Sequence, residues 1–373
     1  MTPAIKTVIV TNVPAPYRAP VWHRVAQAEG ISVELIFCAP AHIDTSFNSS
    51  EYGFKSHFLS GQYQVGERRF MHSDLGVWAL LNRLNPDVVI TTGYIPTFLF
   101  AFVWAIAHRV PHIAMTDGTV RSEKSLTWLH RIVRLIVLGK SSAFVGACEG
   151  SCDLFKQYGV DKQFIHKSHL CADNKRFSCR PSQDPVDFIF CGRFLAHKQP
   201  LFAMQVAHET AIRLGRKTSI DFVGSGNLEP EMLSYAAAIS DLVACRFLGY
   251  ASQAELPQLY ANAKIFLFPS EWDPWGVVAN EACAAGLPVI VSPHAGVAEE
   301  LVIDGQNGYV RELDISLWAE ATAKLLTDET LHSEFQKNSR EQVVEYNFDN
   351  SARGLVNAIR QAYGLTKLRG ITP

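Results

Sequence analysis

Short apolar runs that alternate with helix-like segments along the whole chain are the feature that most restricts its fold. The runs are rich in β-branched residues and apolar on both faces, which is typical of strands inside parallel sheets covered by helices. The predicted strands are Thr7–Val10, Val33–Phe37, Asp87–Ile90, His112–Met115, Ala143–Ala147, Phe188–Cys191, Ser219–Val223, Ile265–Phe268 and Pro288–Ser292. Because crossovers between parallel strands are right-handed, the pattern predicts doubly wound α/β sheets.

The length of 373 residues indicates two domains, since a single core rarely grows that large. Periodicity lapses in a polar stretch near 175–185 that holds two prolines, and this predicts domains of 1–178 and 179–348. A last helix, about Asn350 to Tyr363, follows without a strand of its own. A (β/α)8 barrel is the competing architecture, but the candidate functional residues follow strands of the second half only, whereas a barrel draws its site from many strands.

The charge balance excludes a general attraction for nucleic acid. Lys and Arg number 34 against 36 Asp and Glu, so the formal net charge is −2. No signal-peptide pattern opens the chain, and the longest apolar run, Phe98–Ala107, is too short to span a bilayer. Eight scattered cysteines show no C-x-x-C pair, which predicts buried thiols in a reducing cytoplasm.

The stretch from Phe266 to Val310 carries the strongest signs of chemistry. A buried strand ends at Pro269, a loop with Asp273 follows, and a helix starts near Gly276. The first amides of that helix, at Gly276, Val277 and Val278, are expected to have no partner in the helix. Together with the helix dipole they form an anion site.

Two acidic residues belong to the same stretch. Glu281 lies about one and a half turns into the helix, where its carboxylate could accept hydrogen bonds from a diol, and Asp273 reaches the same place from the loop. The alternative is that both serve only as capping and solvated residues.

Two cations follow an earlier strand. Arg193 and Lys198 come directly after the run that ends at Cys191, and in an open α/β sheet all such strand ends face one crevice. Each cation alone is more often a solvated residue. Together with the amides and carboxylates they predict a ligand that carries a diphosphate, a ribose-like diol and a further polyol.

These residues carry a resemblance to a known family. DPWGVVANE at 273–281 resembles the E-x7-E motif of family 4 glycosyltransferases, which are retaining enzymes. GRF-x3-K at 192–198, VGSGNLEPEM at 223–232 and FLGYASQAELPQLYANAKIFLFPS at 247–270 continue the pattern, so that the likeness covers 186–310. The first half is similar only in outline, through VTNVPAPYR and LCADNKRF. The resemblance implies the GT-B fold, two Rossmann-like domains facing across a cleft, with residues 349–373 crossing back to the first domain.

The resemblance also implies roles for the candidate residues. Arg193 and Lys198 would hold the diphosphate of a UDP- or GDP-sugar, Glu281 the ribose, and Asp273 a hydroxyl of the donor sugar. The main chain would supply the other contacts: the amides of Trp275, Gly276, Val277 and Val278 near sugar and phosphate, and Gly224, Leu248 and Gly249 beside the base.

The sequence departs from the family at two places. The first acidic position is usually Glu but here is Asp273, and Glu271 is a rival whose spacing is wrong by two. The first βα loop lacks the usual Gly-Gly and has Pro14, Pro16 and Arg18 instead. Prolines stiffen this loop. Arg18 could meet an acidic acceptor or the phosphates, or it could be a surface residue.

The expected reaction is transfer of a sugar with retention of configuration. Two cations and oriented amides can stabilise the departing phosphate without a metal or cofactor, and no D-x-D-type acidic pair is found. Asp117, at the end of a first-domain strand, is expected to position or deprotonate the acceptor hydroxyl. A cap or turn residue before Gly118 is the alternative.

The acceptor is expected to be a lipid-linked glycan or a growing polysaccharide, chiefly from the resemblance. The segment from Trp128 to Leu138 mixes apolar residues with His130, Arg131 and Arg134. This suits a helix touching an anionic membrane, and hence a peripheral position on its inner face. A core helix with two surface arginines is the alternative.

Two other functions fit the same site. A nucleotide-sugar epimerase or hydrolase would need the diphosphate site too, and a non-catalytic nucleotide-binding protein would be expected to lose its charged rim, which is kept here. A dehydrogenase fits poorly, because G-x-G-x-x-G does not follow the first strand of either half.

Overall fold

The computed structural model describes residues 4–15, 17–39, 53–60, 62–64, 70–179 and 184–368. The chain forms two compact units, one of residues 1–170 together with 348–373, the other of residues 171–347. Pro16 of the first βα loop and residues 180–183 of the predicted linker lie outside the described residues.

The first unit is built on a seven-stranded sheet in the order β3-β2-β1-β6-β7-β8-β9, in which every pairing is parallel. The seven strands of this sheet are β1 (Ile5–Thr11), β2 (Ile31–Phe37), β3 (Lys55–Phe58), β6 (Val88–Thr91), β7 (His112–Thr116), β8 (Ala143–Gly146) and β9 (Ile165–Lys167). The strands β4 (Gln62–Gln64) and β5 (Phe70–His72) form a separate antiparallel pair. Its helices are α1 (Ala19–Ala26), α2 (Gly76–Leu84), α3 (Pro96–Ala107), α4 (Trp128–Lys140) and α5 (Glu149–Gln157).

The second unit is built on a six-stranded parallel sheet in the order β12-β11-β10-β13-β14-β15. Its elements are α6 (Asn174–Phe177), β10 (Val186–Cys191), α7 (Pro200–Leu214), β11 (Thr218–Val223), α8 (Glu229–Ala238), β12 (Val243–Gly249), α9 (Leu256–Ala261), β13 (Ala263–Phe268), α10 (Val277–Ala285), β14 (Val289–Val291), β15 (Gly308–Val310), α11 (Ile315–Thr327) and α12 (Glu329–Val343). Phenylalanines of the central strands pack in the core with Trp318, which is fully buried.

The last helix, α13 (Phe348–Leu368), packs on the first unit. Ser351 is buried there and donates to the carbonyl oxygen of His169 at 2.8 Å. Further along the helix, Gln361 pairs with the ring of His166 at 2.7 Å. The chain therefore enters the second unit after Leu170 and leaves it before Phe348.

The predicted class, a doubly wound parallel α/β fold, is confirmed, and two separate sheets replace the alternative of one barrel. All nine predicted strands are present, with ends that differ by one or two residues. The edge strands β3, β9, β12 and β15 were not predicted. β12 shows why, because its residues are alternately buried or half-buried and exposed rather than apolar on both faces.

Candidate functional site

The loops after β10, β11 and β12 are joined at the carboxyl edge of the second sheet. The amide of Gly224 donates to the carbonyl oxygen of Gly249 at 2.7 Å, and the amide of Phe194 donates to that of Ser225 at 2.8 Å. A Cβ on Gly224 would lie 2.0 Å from the carbonyl oxygen of Gly192, so only glycine allows this approach. Gly224 and Gly249 thus lie together, as expected from their positions after neighbouring strands.

Lys198 and Asp273 form an ion pair at the same edge. Lys198 ends a 3-10 turn (Ala196–Lys198) after β10, and Asp273 lies in the loop after β13. Their side chains are only 18% and 13% exposed. The Lys198 ammonium also lies 5.9 Å from the centre of the Phe268 ring. The structure therefore brings together the cation and the carboxylate that sequence reasoning placed on different loops.

Glu271, the rival acidic residue, has a different partner. Its carboxylate accepts a hydrogen bond from the side-chain amide of Gln199 at 2.6 Å, and its backbone amide donates to the carbonyl oxygen of His197 at 2.8 Å. These contacts fix the loop after β13 against the turn after β10. Glu271 is an exposed brace between loops, and Asp273 is the carboxylate that faces Lys198.

Arg193 projects from the same turn and is exposed. Its guanidinium makes no hydrogen bond or ion pair within the described part of the chain. Burial, followed by the charges of Lys198 and Arg193, lowers the pKa of His197. Of the two cations at this edge, Lys198 is already paired with Asp273, and Arg193 is available to an anion.

The start of α10 faces this pair. Gly276 has φ 108°, and a Cβ there would lie 2.3 Å from the Phe268 ring, so the turn requires glycine. The amides of Gly276, Val277 and Val278 have no acceptor among the described residues. Such amides at the start of a nine-residue helix suit an anion.

Trp275 contributes differently from the three residues after it. Its backbone amide already donates to the carboxylate of Asp273 at 3.1 Å. Its indole is fully buried, stacks on Tyr346 with ring centres 5.5 Å apart, and donates to Asn280 at 2.7 Å. Trp275 therefore anchors the loop and orients Asp273, whose two oxygens are held by Lys198 and by this amide.

Glu281 is buried rather than solvated, with 5% of its surface exposed. The Tyr260 hydroxyl donates to its carboxylate at 2.9 Å. Burial raises the pKa of Glu281 to about 7, although the Tyr260 hydrogen bond acts in the opposite direction. The alternative of a solvated helix residue is therefore wrong for Glu281. Its carboxyl group is poised between the neutral and charged forms near neutral pH.

Sequence reasoning missed Tyr260, Gln199 and Tyr250. The first two are recognisable only from long-range pairings with Glu281 and Glu271. Tyr250 follows Leu248 and Gly249 in the loop after β12 and is 68% exposed, next to Leu248 at 40%. An exposed aromatic residue just after the predicted base-flanking position is a signal that the sequence did offer.

Arg18 and Asp117 line one cavity of about 200 Å³ in the first unit. Arg18 is 9% exposed and donates to the carbonyl oxygen of Ser168 at 3.2 Å, so it is not a surface residue. Asp117 is exposed and follows β7. The amide of Gly118 donates a hydrogen bond to the Thr116 hydroxyl at 3.0 Å, so Thr116 is the residue that caps this turn.

The described residues contain neither a metal-binding cluster nor a membrane-spanning helix. No three His, Cys, Asp or Glu side chains in that part of the chain cluster closely enough to hold a metal ion. None of the helices described there is both long and apolar enough to cross a bilayer.

The fold matches solved structures over almost the whole chain. The structure of Anabaena HepE in complex with UDP and glucose superposes with a TM-score of 0.73 at 16% identity, covering 98% of this chain and 99% of that one. The pneumococcal O-GlcNAc transferase GtfA, in complex with UDP and GlcNAc, gives a TM-score of 0.71 at 13% identity, over 96% and 99% of the two chains. These matches define the GT-B fold.

The sequence comparisons point to one family. Residues 172–342, almost the whole second unit and just under half of the chain, match the model of glycosyl transferases group 1. The second unit is therefore similar to that family. An uncharacterised glycosyltransferase of Methanocaldococcus jannaschii is 30% identical over 194 residues, 51% of this chain and 48% of that protein.

Other curated relatives match over similar lengths. A glycogen synthase of Mycobacterium tuberculosis is 31% identical over 150 residues, 40% of this chain and 36% of that protein. A D-inositol 3-phosphate glycosyltransferase of Streptomyces bingchenggensis is 26% identical over 261 residues, 63% and 56% of the two chains. The alignments thus span about half or less of the first relatives' own lengths.

Proposed function

We propose that this protein is a retaining glycosyltransferase that moves a hexosyl group from a UDP- or GDP-sugar to a hydroxyl of a glycan or lipid-linked acceptor. The observation that carries the proposal is the convergence of Arg193, Lys198 and the first amides of α10 at one strand edge. The group 1 family model over the same residues supports it.

The donor would bind by exchanging partners at the Lys198–Asp273 pair. The diphosphate binds to Lys198, Arg193 and the amides of Gly276, Val277 and Val278, because all of these groups are positively charged or donate hydrogen bonds. Asp273 is then released from Lys198 and accepts a hydrogen bond from a hydroxyl of the donor sugar.

The nucleoside would occupy the neighbouring loops. The charged form of Glu281 accepts hydrogen bonds from the ribose hydroxyls, and the buried Tyr260 beside it holds the carboxylate in place. The base lies against Gly224, Leu248 and Gly249, with Tyr250 exposed at the same loop. A stacked aromatic ring would suit either uracil or guanine.

The chemical step would then proceed on one face of the sugar. The bond from C1 to the phosphate oxygen breaks and the bond from C1 to the acceptor oxygen forms, while the acceptor proton passes to the departing phosphate. Two cations and the helix amides stabilise the charge that grows on that phosphate. We propose that this charge compensation removes the need for a metal or other cofactor.

The acceptor is assigned to the first unit. The cavity lined by Arg18 and Asp117 offers a buried cation for an acidic or phosphate-bearing acceptor and a carboxylate to orient its hydroxyl. We place the reaction in the cytoplasm, since all eight cysteines are free thiols, as expected in a reducing compartment.

The test supplies UDP- and GDP-sugars with glycan or lipid-linked acceptors and reads the anomeric configuration of the product by NMR. The proposal expects a product with the donor's configuration and unchanged turnover after treatment with EDTA. An inverted product contradicts the retaining mechanism. Donor turnover that is equally fast without any acceptor indicates an epimerase or a hydrolase instead.

A further inference from the structure

Helix α4 in the first unit carries its large apolar residues on the outside. Five of them are exposed: Trp128 by 71%, Leu129 by 56%, Ile132 by 41%, Leu135 by 54% and Ile136 by 56%. At the 100° turn per helical residue they cover a continuous arc of about 120°. We call these five residues the α4 stripe. Clusters of this kind mark interaction surfaces, in contrast to single exposed apolar residues.

The opposite side of α4 holds a charge. The Arg134 side chain is 14% exposed, pairs with Glu123 at 2.9 Å and lies 4.4 Å from the centre of the Tyr94 ring. Val137 and Leu138 are the buried apolar residues of the helix. The alternative of a core helix with two surface arginines is therefore wrong, because Arg134 points inward and the apolar stripe points outward.

Basic residues flank the stripe on both sides. Arg131 is exposed one helical turn before Leu135, and Lys140 is exposed at the end of the helix. Lys140 also lines a cavity of about 420 Å³ with Arg109 and Ile106, at the end of α3. The helix itself contains no acidic residue. The surface beside the stripe is therefore cationic.

We propose that the α4 stripe docks on the surface of an anionic lipid bilayer. The stripe would lie among the headgroups and upper acyl chains, with Trp128 in the interfacial layer that tryptophan prefers. Arg131, Lys140 and Arg109 would reach lipid phosphates from the flanks, as long basic side chains do at membrane surfaces.

The geometry favours a bilayer over a second copy of the chain. A helix of 13 residues is about 20 Å long, and one face of it offers far less than the roughly 800 Å² per partner of a stable protein interface. The basic flanks would also repel the same flanks of a second copy, whereas they match anionic lipid. The inference does not depend on sugar transfer.

The test measures co-sedimentation of the full chain with two kinds of vesicle, phosphatidylcholine alone and phosphatidylcholine mixed with phosphatidylglycerol, without donor or acceptor. Binding to the anionic vesicles is expected, and it should weaken with added salt. Ile132→Ser with Ile136→Ser should reduce it at least about tenfold, because two apolar side chains leave the lipid. Arg131→Gln with Lys140→Gln should remove most of the preference for anionic vesicles.

The matched control changes exposed apolar residues of the second unit, Ile212→Ser with Leu233→Ser, which are 54% and 50% exposed. Thermal unfolding midpoints of the two α4 double variants and of this control should equal that of the wild type. Absence of wild-type binding, or an equal loss in the control, overturns the proposal. A wild-type dimer in analytical ultracentrifugation that is lost in the Ile132→Ser/Ile136→Ser variant also overturns the proposal. Lys198→Ala should bind vesicles normally, which separates this result from any failure of sugar transfer.

Discussion

Lys198 and Arg193 differ in what holds them before any ligand binds. Lys198 is paired with Asp273 in a half-buried position, whereas Arg193 is exposed. Removal of the arginine should therefore weaken the interaction with the ligand without changing the stability of the protein. Removal of the lysine should also leave a largely buried carboxylate without its cation, although the amide of Trp275 still donates to it.

We predict that Arg193→Ala and Lys198→Ala each reduce turnover about 100-fold or more, because each removes a charge that stabilises the departing phosphate. Only Lys198→Ala should also lower the free energy of unfolding, by about 1–3 kcal/mol. Steady-state kinetics and urea titrations measure the two effects. Lys337→Ala, an exposed lysine with a surface partner, is the control. Near-normal rates in both variants would reject the phosphate assignment.

The burial of Glu281 makes the stability of the protein depend on pH, and it also sets the direction of that dependence. Its pKa in the folded protein is raised from about 4.5 to about 7, so the folded state keeps a proton that the unfolded state loses. Its contribution to stability is fully present below about pH 4.5 and is lost as the pH rises through 7. The full loss is on the order of 3 kcal/mol.

The variant Glu281→Gln imitates the neutral form and should lack this dependence. It should match the wild type in acid and unfold at higher denaturant concentration than the wild type in mildly alkaline buffer. Urea titrations across the pH range measure this difference. Parallel stability curves for the two proteins would show that folding does not raise the pKa of Glu281. The same variant should weaken nucleotide binding if the carboxylate holds the ribose.

The start of α10 is the element on which the anion site depends. Gly276 has φ 108° and faces the Phe268 ring, whereas Gly215, at the end of α7, has φ 60° with open space around it. An alanine at either position costs about 1–2 kcal/mol from the left-handed backbone alone. Only at Gly276 must the chain also move away from a neighbour.

We therefore predict that Gly276→Ala weakens nucleoside diphosphate binding about tenfold or more, while Gly215→Ala leaves it unchanged. The physical reason is that the added methyl group clashes with the Phe268 ring, and a displacement of about 1 Å at the helix start turns the amides away from the phosphate. Calorimetric titration with UDP and GDP provides the comparison, and thermal melts report the stability change. Equal affinity in both variants would place the phosphates elsewhere.

Elements buried on both faces were predictable, and elements defined by distant pairings were not. Residues 188–191 of β10 and 265–268 of β13 are continuous apolar runs, so the pattern alone indicated central parallel strands. The outward orientation of the apolar side of α4 could not be predicted from its sequence, since the same spacing of apolar residues fits a helix turned either way. The Arg134–Glu123 pair and the buried Val137 and Leu138 decide the orientation.

At the scale of the molecule, the two units differ in how much the sequence reveals. In the second unit, the candidate residues follow consecutive strands at short range, and the family model covers the same residues. In the first unit, Arg18 and Asp117 are far apart in sequence and line one cavity only because β1 and β7 belong to one sheet. The cavity proposed for the acceptor could therefore be recognised only from the fold.

The proposed function depends on pyrophosphate recognition by the edge of the second sheet. The most direct test is calorimetric titration of the wild type and of the double variant Arg193→Ala/Lys198→Ala with UDP, GDP and the corresponding monophosphates. The wild type is expected to bind one of the diphosphates more tightly than its monophosphate, and the double variant is expected to lose this preference. A double variant that binds the diphosphate as tightly as the wild type would contradict the proposed function.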